Sequence, residues 1–380
     1  MSVRLLVACS PGEIRIAVAG DGGPDAPALT DYALWRPGAP DGVGDLHRGR
    51  VEAVVPALGG AFVALAPDRQ VSGAVSGFLP MRDGDLPAEG DAVLVRVVRA
   101  AQGGKGPRLV RVSPSPGVPS PAGAPALLER GPDPLTRLAA SWPDAQIIAD
   151  DPSLGPDLVP ALRPRIRVES QAIPADLESL IDALSEPDVA LPGGMRASIH
   201  PTPALVAIDL DGAATTASRQ SKQTAQFAAN RAAIGPLLHQ LRLRNLSGAI
   251  LIDLAGLASR KRAALRPEIE AALARDPLQP RLLGFTALGL AEILRPRLHP
   301  PLHELLGTPH AAGLAALREA ARVAGSPPHR LPRLVASPLV TAALERDPLA
   351  AEALARRVGQ PISIQTDPSF PPLAWKLEHG

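Results

Sequence analysis

One cysteine, Cys9, is all that the 380 residues contain, so neither a disulfide framework nor an all-cysteine zinc site can be built, and a reducing compartment suits the chain. Aromatics are nearly as scarce, with five Phe, three Trp and one Tyr. A surface that shows two of them together therefore carries more weight than usual. Neither sign of charge dominates: 39 Lys and Arg stand against 38 Asp and Glu, which excludes a globally basic nucleic-acid surface and leaves only local patches. No apolar run is long enough to span a bilayer, and Met1-Ser-Val-Arg-Leu-Leu-Val-Ala-Cys9 reads as a β-strand, too short for a signal peptide. The expectation is a soluble, cytoplasmic protein with no membrane partner. The 44 prolines, beside much alanine and arginine and little lysine, read as the mark of a GC-rich genome and are discounted as a sign of disorder.

What is present suits two or three domains, since a chain this long at 46% hydrophobic can bury large cores. Residues 3–36 alternate as two strands around the turn-forming cluster Gly20-Asp-Gly-Gly-Pro24, with Tyr32 and Trp35 on the second. Residues 44–112 are short β-rich runs broken by glycine, the pattern of a small barrel of the OB type. The proline-rich stretch 113–125 fits inside neither helix nor sheet and reads as a linker. Beyond it, 130–192 is mixed, with a strand at Ala145–Ala149 and an acidic helix near 175–184. The stretch 195–300 alternates as strand, helix 219–243, strand 248–253, helix 261–275, strand 281–285 and helix 287–294, which predicts an α/β sheet. A small α/β appendage follows, with a strand at 333–336, a helix over 338–357 and a strand at 361–365.

Two apolar runs end in aspartate: Ala204-Leu-Val-Ala-Ile-Asp209-Leu-Asp211 and Gly248-Ala-Ile-Leu-Ile-Asp253. A buried strand with a carboxylate at its C-terminal end places it where open α/β sheets build sites, and two such strands can converge on one hard cation, with phosphate chemistry as the consequence. Strand-end aspartates also cap helices and begin turns, and on spacing alone both readings stay open. Arg242 and Arg244 alternate with leucines just before the second run. In an extended segment they point the same way, a cationic pair able to hold a phosphate beside the aspartates; a solubilising helix end is the alternative. Arg260, Lys261 and Arg262 read as a solvated face or a phosphate contact outside the metal's own ligands. Asn230 and Gln223 on the long helix are weaker candidates.

Gly44 to Val51, Ala61-Phe-Val63, Gly77-Phe-Leu-Pro80 and Gly104-Lys-Gly106 resemble the RNA-binding OB barrel of the ribonuclease E/G family. Ala207-Ile-Asp209, followed by Gln240-Leu-Arg-Leu-Arg-Asn-Leu-Ser-Gly-Ala-Ile-Leu-Ile-Asp253, resembles its catalytic block. The resemblance implies an α/β multidomain fold: N-terminal strands (1–37) of an RNase H-like subdomain, an inserted OB-type barrel (38–112), the linker (113–125), the reduced remainder of the RNase H-like part (126–194), a DNase I-like catalytic subdomain (195–300) and a small C-terminal α/β subdomain (301–380). It implies an Mg2+-dependent endoribonuclease acting on single-stranded RNA, of a short type without a long C-terminal scaffold. Asp209 and Asp253 match the two metal-holding carboxylates. Asp211 falls where the family has an asparagine, and so adds a third carboxylate to the catalytic set. Phe62 and Phe78 match base-stacking aromatics and Lys105 a basic residue of the same groove, although barrel-core roles for the rings stay open. His47, Arg48, Arg50, Arg96, Arg99, Arg108 and Arg111 are phosphate contacts or a solvated face.

The family's paired-cysteine zinc link has no counterpart, so a homo-oligomer, if formed, is not joined that way. His299, His303 and His310 stand in its place without a clear metal-ligand pattern. The segment that senses a five-prime monophosphate is reduced between 113 and 190, and Ala287 occupies the position of a phosphate-binding arginine, which implies weak end sensing. An RNA-binding protein of the same fold with weakened catalysis, or a structural assembly factor, are the alternative functions.

Overall fold

The computed structural model describes residues 3–20, 28–66, 75–81, 87–113, 120–154, 158–212, 219–325 and 331–379. The expected turn at 21–24 and the linker residues 114–119 lie outside them. The chain divides into two compact units: one of residues 1–174, 298–300 and 304–380, the other of 175–297 and 301–303. No helix among the described residues is long and apolar enough to cross a membrane.

The first unit begins with β1 (Arg4–Ser10), β2 (Glu13–Ala19) and β3 (Leu29–Trp35). Three strands stand where two were expected, because Pro11 lacks a backbone donor and Gly12 adopts φ 74°, which folds β1 tightly back onto β2.

A closed barrel follows, made of β4 (Leu46–Val55), β5 (Gly60–Leu65), β6 (Val75–Pro80), β7 (Ala92–Arg99) and β8 (Arg108–Arg111). The strands run in the order β5-β6-β8-β7-β4, and β4 pairs back onto β5. Closure leaves these five strands no free edge within the ring. Alternation sends Val51, Ala61, Val63, Leu79, Val95 and Leu109 into the barrel core. The next strand, β9 (Ala126–Glu129), pairs with β4, so the barrel's sheet continues past the proline-rich stretch and does not stop at 112.

After helix α1 (Pro134–Ser141), capped by Asp133, β10 (Gln146–Ala149) and β11 (Ile166–Val168) add in parallel beside β1, which gives the five-stranded order β11-β10-β1-β2-β3. Leu5, Val7, Ile16, Leu135 and Ile147 are its core. Burial, with Asp150 and Asp151 nearby, pushes the Cys9 thiol up to about 12, so the lone cysteine stays protonated at neutral pH.

The second unit holds helix α2 (Ala175–Asp182), strands β12 (Asp188–Leu191), β13 (Met195–Pro201) and β14 (Val206–Gly212), the long helix α3 (Arg219–Leu243), β15 (Gly248–Asp253), helices α4 (Ser259–Ala263) and α5 (Arg266–Leu273), and the hairpin β16 (Arg281–Phe285) and β17 (Ala291–Arg295). Their order is β12-β13-β14-β15-β17-β16. Only β14 and β15 run parallel, because α3 is the crossover that joins them. Ile234, Leu237 and Leu241 of α3 and Ile269 and Leu273 of α5 pack on Ile208, Leu210, Ile250, Ile252 and Ile293. Both helices thus bury one face of the sheet. The expected helix at 287–294 is instead β17. Gly289 at φ 86° closes a tight turn between Thr286 and Leu290, and Ala291, Ile293 and Arg295 then alternate inward with period two.

The remaining segments are helices α6 (Leu302–Leu306), α7 (Pro309–Ala324), α8 (Pro338–Glu345) and α9 (Pro348–Val358), with strands β18 (Pro332–Ala336), β19 (Ile364–Thr366) and β20 (Trp375–His379) in a three-stranded sheet. The helix expected over 338–357 is two, because Asp347 caps a fresh start at Pro348, its carboxylate accepting from the Ala350 amide.

Candidate functional site on an open sheet face

In β14 the even-numbered Val206, Ile208 and Leu210 are buried beneath α3 and α5, so the odd-numbered Asp209 and Asp211 stand on the opposite, exposed face. The same period sets Asp253 on that face at the end of β15, where Asp209 and Asp253 are register partners on adjacent parallel strands. In-register neighbours lie ~4.8 Å apart across a sheet, close enough for two carboxylates to share one cation. Among the described residues the Asp209 and Asp211 carboxylates make no side-chain hydrogen bond or ion pair.

Asp253 is held. Arg262 Nη1 stands 2.9 Å from its Oδ1 and donates to Gly289 O at 3.0 Å, while Nε donates to Leu257 O at 2.8 Å. The guanidinium is mostly buried, at 16% exposure against 49% for the aspartate, and it passes so close to Gly289 that a Cβ there would meet Nη1 at 3.0 Å. The loop following Asp253 is clamped from α3: Gln223 Nε2 donates to Gly256 O at 2.7 Å, and the buried Asn230 donates to Ala255 O at 3.1 Å. Asn230 and Gln223 therefore fix backbone beside the site. Arg262→Met is expected to cost about 1–3 kcal/mol, the penalty for stranding hydrogen-bonding groups. Arg260→Ala, at an exposed position, should stay within about 0.5 kcal/mol. Urea unfolding of the two variants checks the contrast, and equal effects would return the whole charge run to a solvated face.

On the other flank, Ser198 of β13 is the register partner of Asp209 and Arg196 that of Asp211. Asp188 of β12 pairs with Ser198 in turn. The Ser198 hydroxyl donates to Asp188 Oδ1 at 2.6 Å and Arg196 ion-pairs with Asp188; together they hold that carboxyl below the usual carboxylate range.

Arg242 and Arg244 are not beside the aspartates. The segment is not extended: it is the end of α3, the helix expected over 219–243, and the turn after it. Arg244 is buried and donates to Ala183 O, Glu186 O and Gln240 Oε1, while Arg242 donates to Arg275 O at 3.3 Å. Both precede β15, whose six residues put Asp253 roughly 17 Å further along at ~3.3 Å each. Arg244 is a structural tie between backbone carbonyls.

In the barrel, Phe62 and Phe78 are register partners on the outer surface, alternating with the inward Ala61, Val63 and Leu79. Their centroids are 5.5 Å apart at 64°, an edge-to-face pair, and Phe62 is 36% exposed. Neither ring belongs to the barrel core. Arg108 is paired beside Phe78 on the same outer strip, and Lys105 stands exposed where the Gln102–Lys105 turn returns toward β8. Other basic candidates are bound within the protein: Arg48 to Ser120 O and Ala124 O, Arg50 to Gly90 O, and Arg96 to Gly44 O and Glu129.

No group of three or more His, Cys, Asp or Glu among the described residues forms a metal cage. His299 instead meets Asp41 at 2.6 Å and His310 meets Asp347 at 2.8 Å. Burial works against ionisation of Asp41, but the bond to His299, with the Val43 amide and Arg137, outweighs it and holds the carboxyl low.

Residues 158–298, which contain the six-stranded sheet and all three aspartates, match the model of the Ribonuclease E/G family. Ribonuclease E of Synechocystis sp. is 36% identical over 137 residues, 35% of this chain and 20% of that protein. Ribonuclease E of Escherichia coli is 34% identical over 129 residues, 34% of the chain and 12% of that protein. Ribonuclease G of Escherichia coli is 29% identical over 212 residues, 51% of the chain and 43% of that protein. The matches thus span less than half the length of each of these relatives.

Proposed function

The chain belongs to the ribonuclease E/G family through the segment that builds the six-stranded sheet, and from that premise we propose that it is an endoribonuclease that cuts single-stranded RNA internally with Mg2+ held at Asp209 and Asp253. The carrying observation is the register of these two aspartates on an open sheet face. The donor set fits: two carboxylate oxygens suit a hard cation, and Mg2+ is ordinarily held by one or two carboxylates with waters completing its shell. When bound, the ion supplies charge neutralisation at the phosphodiester and an activated water. Asp209, without a side-chain partner among the described residues, offers both oxygens, while Arg262 fixes the rotamer of Asp253 and leaves Oδ2 available. Asp211 ranks below them as an added negative charge on the same face. Within this reading the six-stranded unit is the DNase I-like part. The order β11-β10-β1-β2-β3, three antiparallel strands with two parallel ones beside β1, supports an RNase H-like sheet.

The barrel we read as an OB module for RNA. Its circular order β4-β5-β6-β8-β7, with β6 and β8 parallel, supports that reading. Phe62 and Phe78 offer stacking faces worth about 1–3 kcal/mol per base, and Lys105 and Arg108 lie along the same strip. Phe62→Ala with Phe78→Ala is expected to weaken binding of a labelled single-stranded RNA by at least about fivefold, measured by fluorescence anisotropy; unchanged affinity would remove the barrel from RNA recognition.

Purified protein incubated with end-labelled single-stranded RNA, in Mg2+ and in EDTA, tests the reading as a whole. Internal cleavage confined to Mg2+ is expected, and no cleavage in either condition would overturn it. The engagement of Asp253 by Arg262 favours a second reading, an RNA-binding protein with weakened turnover, and tight binding without cleavage would establish that instead.

A further inference from the structure

The open face of the six-stranded sheet carries more negative charge than two metal ligands require. Asp188, Asp209, Asp211, Asp253 and Glu292 all stand on it by register. A polyanionic strand settles on such a face only where protein cations replace its counterions. The exposed arginines on the strands of this face are Arg196 and Arg281. Arg281, on the edge strand, pairs through Leu294 to the level of Ala249, four residues before Asp253. Arg262 is mostly buried, with Nε and Nη1 already taken by two carbonyls and Asp253. Arg196 differs from both. It is the cross-strand partner of Asp211 and the diagonal neighbour of Asp209, its side chain is 61% exposed, and Asp188, its one side-chain partner among the described residues, lies on the strand further from the aspartate pair.

We infer that Arg196 binds a phosphate of the RNA strand adjacent to the phosphodiester positioned over Asp209 and Asp253, with Asp188 and Ser198 holding its guanidinium ready. This rests on the nuclease reading and adds to it a phosphate contact on the β13 side of the site. The guanidinium fork matches phosphate oxygens in pairs, and an ion pair as exposed as that with Asp188 holds its cation loosely enough for a phosphate to share it. The contact also offsets the repulsion that Asp211 exerts on the same strand.

Anisotropy of a labelled single-stranded oligoribonucleotide across a KCl series tests this in the Asp209→Asn background, which keeps the RNA intact. Adding Arg196→Ala is expected to weaken binding about tenfold at low salt, the worth of one charge-assisted hydrogen bond. It should also lower the slope of log affinity against log salt by about 0.7, one phosphate contact on a single strand. Arg196→Lys should restore most of the slope. Adding Phe62→Ala instead should weaken binding with the slope unchanged, since stacking releases no counterions. An unchanged slope in Arg196→Ala, in a protein that binds RNA and whose parent cleaves it, overturns the inference and leaves the nuclease reading standing. A parent that neither binds nor cleaves RNA overturns both.

Discussion

Asp209→Asn and Asp253→Asn are each expected to lower Mg2+-dependent cleavage of single-stranded RNA by about a hundredfold or more. A divalent ion contributes several kcal/mol to a phosphodiester transition state, and each 1.4 kcal/mol is about tenfold in rate. The two variants should differ in stability. Asp209 is exposed and without a side-chain partner among the described residues, so its amide should unfold within about 0.5 kcal/mol of the parent. Asp253→Asn weakens the ion pair with a mostly buried Arg262 and should be measurably less stable. Asp211→Asn removes a carboxylate that lies two residues beyond the pair and in no three-residue cage among the described residues, and should change the rate by less than about tenfold. RNA affinity should hold or rise in all three, because each removes negative charge from the face. Cleavage by Asp209→Asn at the parent rate, measured by single-turnover gel assay, would disprove the metal assignment.

The placement of Asp209 and Asp253 on neighbouring strands is legible in the sequence, although spacing alone leaves their role open. An apolar run that alternates and stops at aspartate fixes both the face and the sheet edge, and a helix-length segment between two such runs makes them parallel neighbours. The supports are not legible. Arg262 reaches Asp253 across nine residues through a loop whose path depends on Gln223 and Asn230 of α3, and no local spacing rule encodes that. Leu241-Arg-Leu-Arg244 alternates, so it suits a strand as well as a helix end. The tie-breaker is tertiary: Arg244 finds the carbonyls of Ala183 and Glu186. Ala291-Glu-Ile-Leu-Arg295 has good helix formers throughout, yet the Gly289 turn sets it beside β15 as a strand. In the barrel, alternation alone does not decide whether Phe62 and Phe78 point in or out, since closure determines which side of each strand is the interior.

The largest stability effect in the unit that carries the site is expected from Asp276→Ala. Asp276 and Arg295 are both buried, and Arg295 Nε stands 2.7 Å from Asp276 Oδ2 while Nη1 donates to Asn245 Oδ1 and Leu246 O at 3.0 Å each. Arg295 is also the register partner of Gly248. The pair therefore fastens the turn between α3 and β15 and the start of the strand whose other end delivers Asp253. Removing the carboxylate leaves a guanidinium in the interior without its charge partner, a change that costs about 3–5 kcal/mol. Arg295→Met should cost a similar amount, because it strands Asp276 together with the Asn245 and Leu246 acceptors. Replacing both, as Asp276→Leu with Arg295→Met, should recover a large part of the loss, since two buried charges and their desolvation disappear together. Urea unfolding of the four proteins closes the cycle. Single losses of more than 2.5 kcal/mol with a double variant clearly better than their sum are the expected result, and simple additivity would show that the two side chains stabilise this end of the sheet independently.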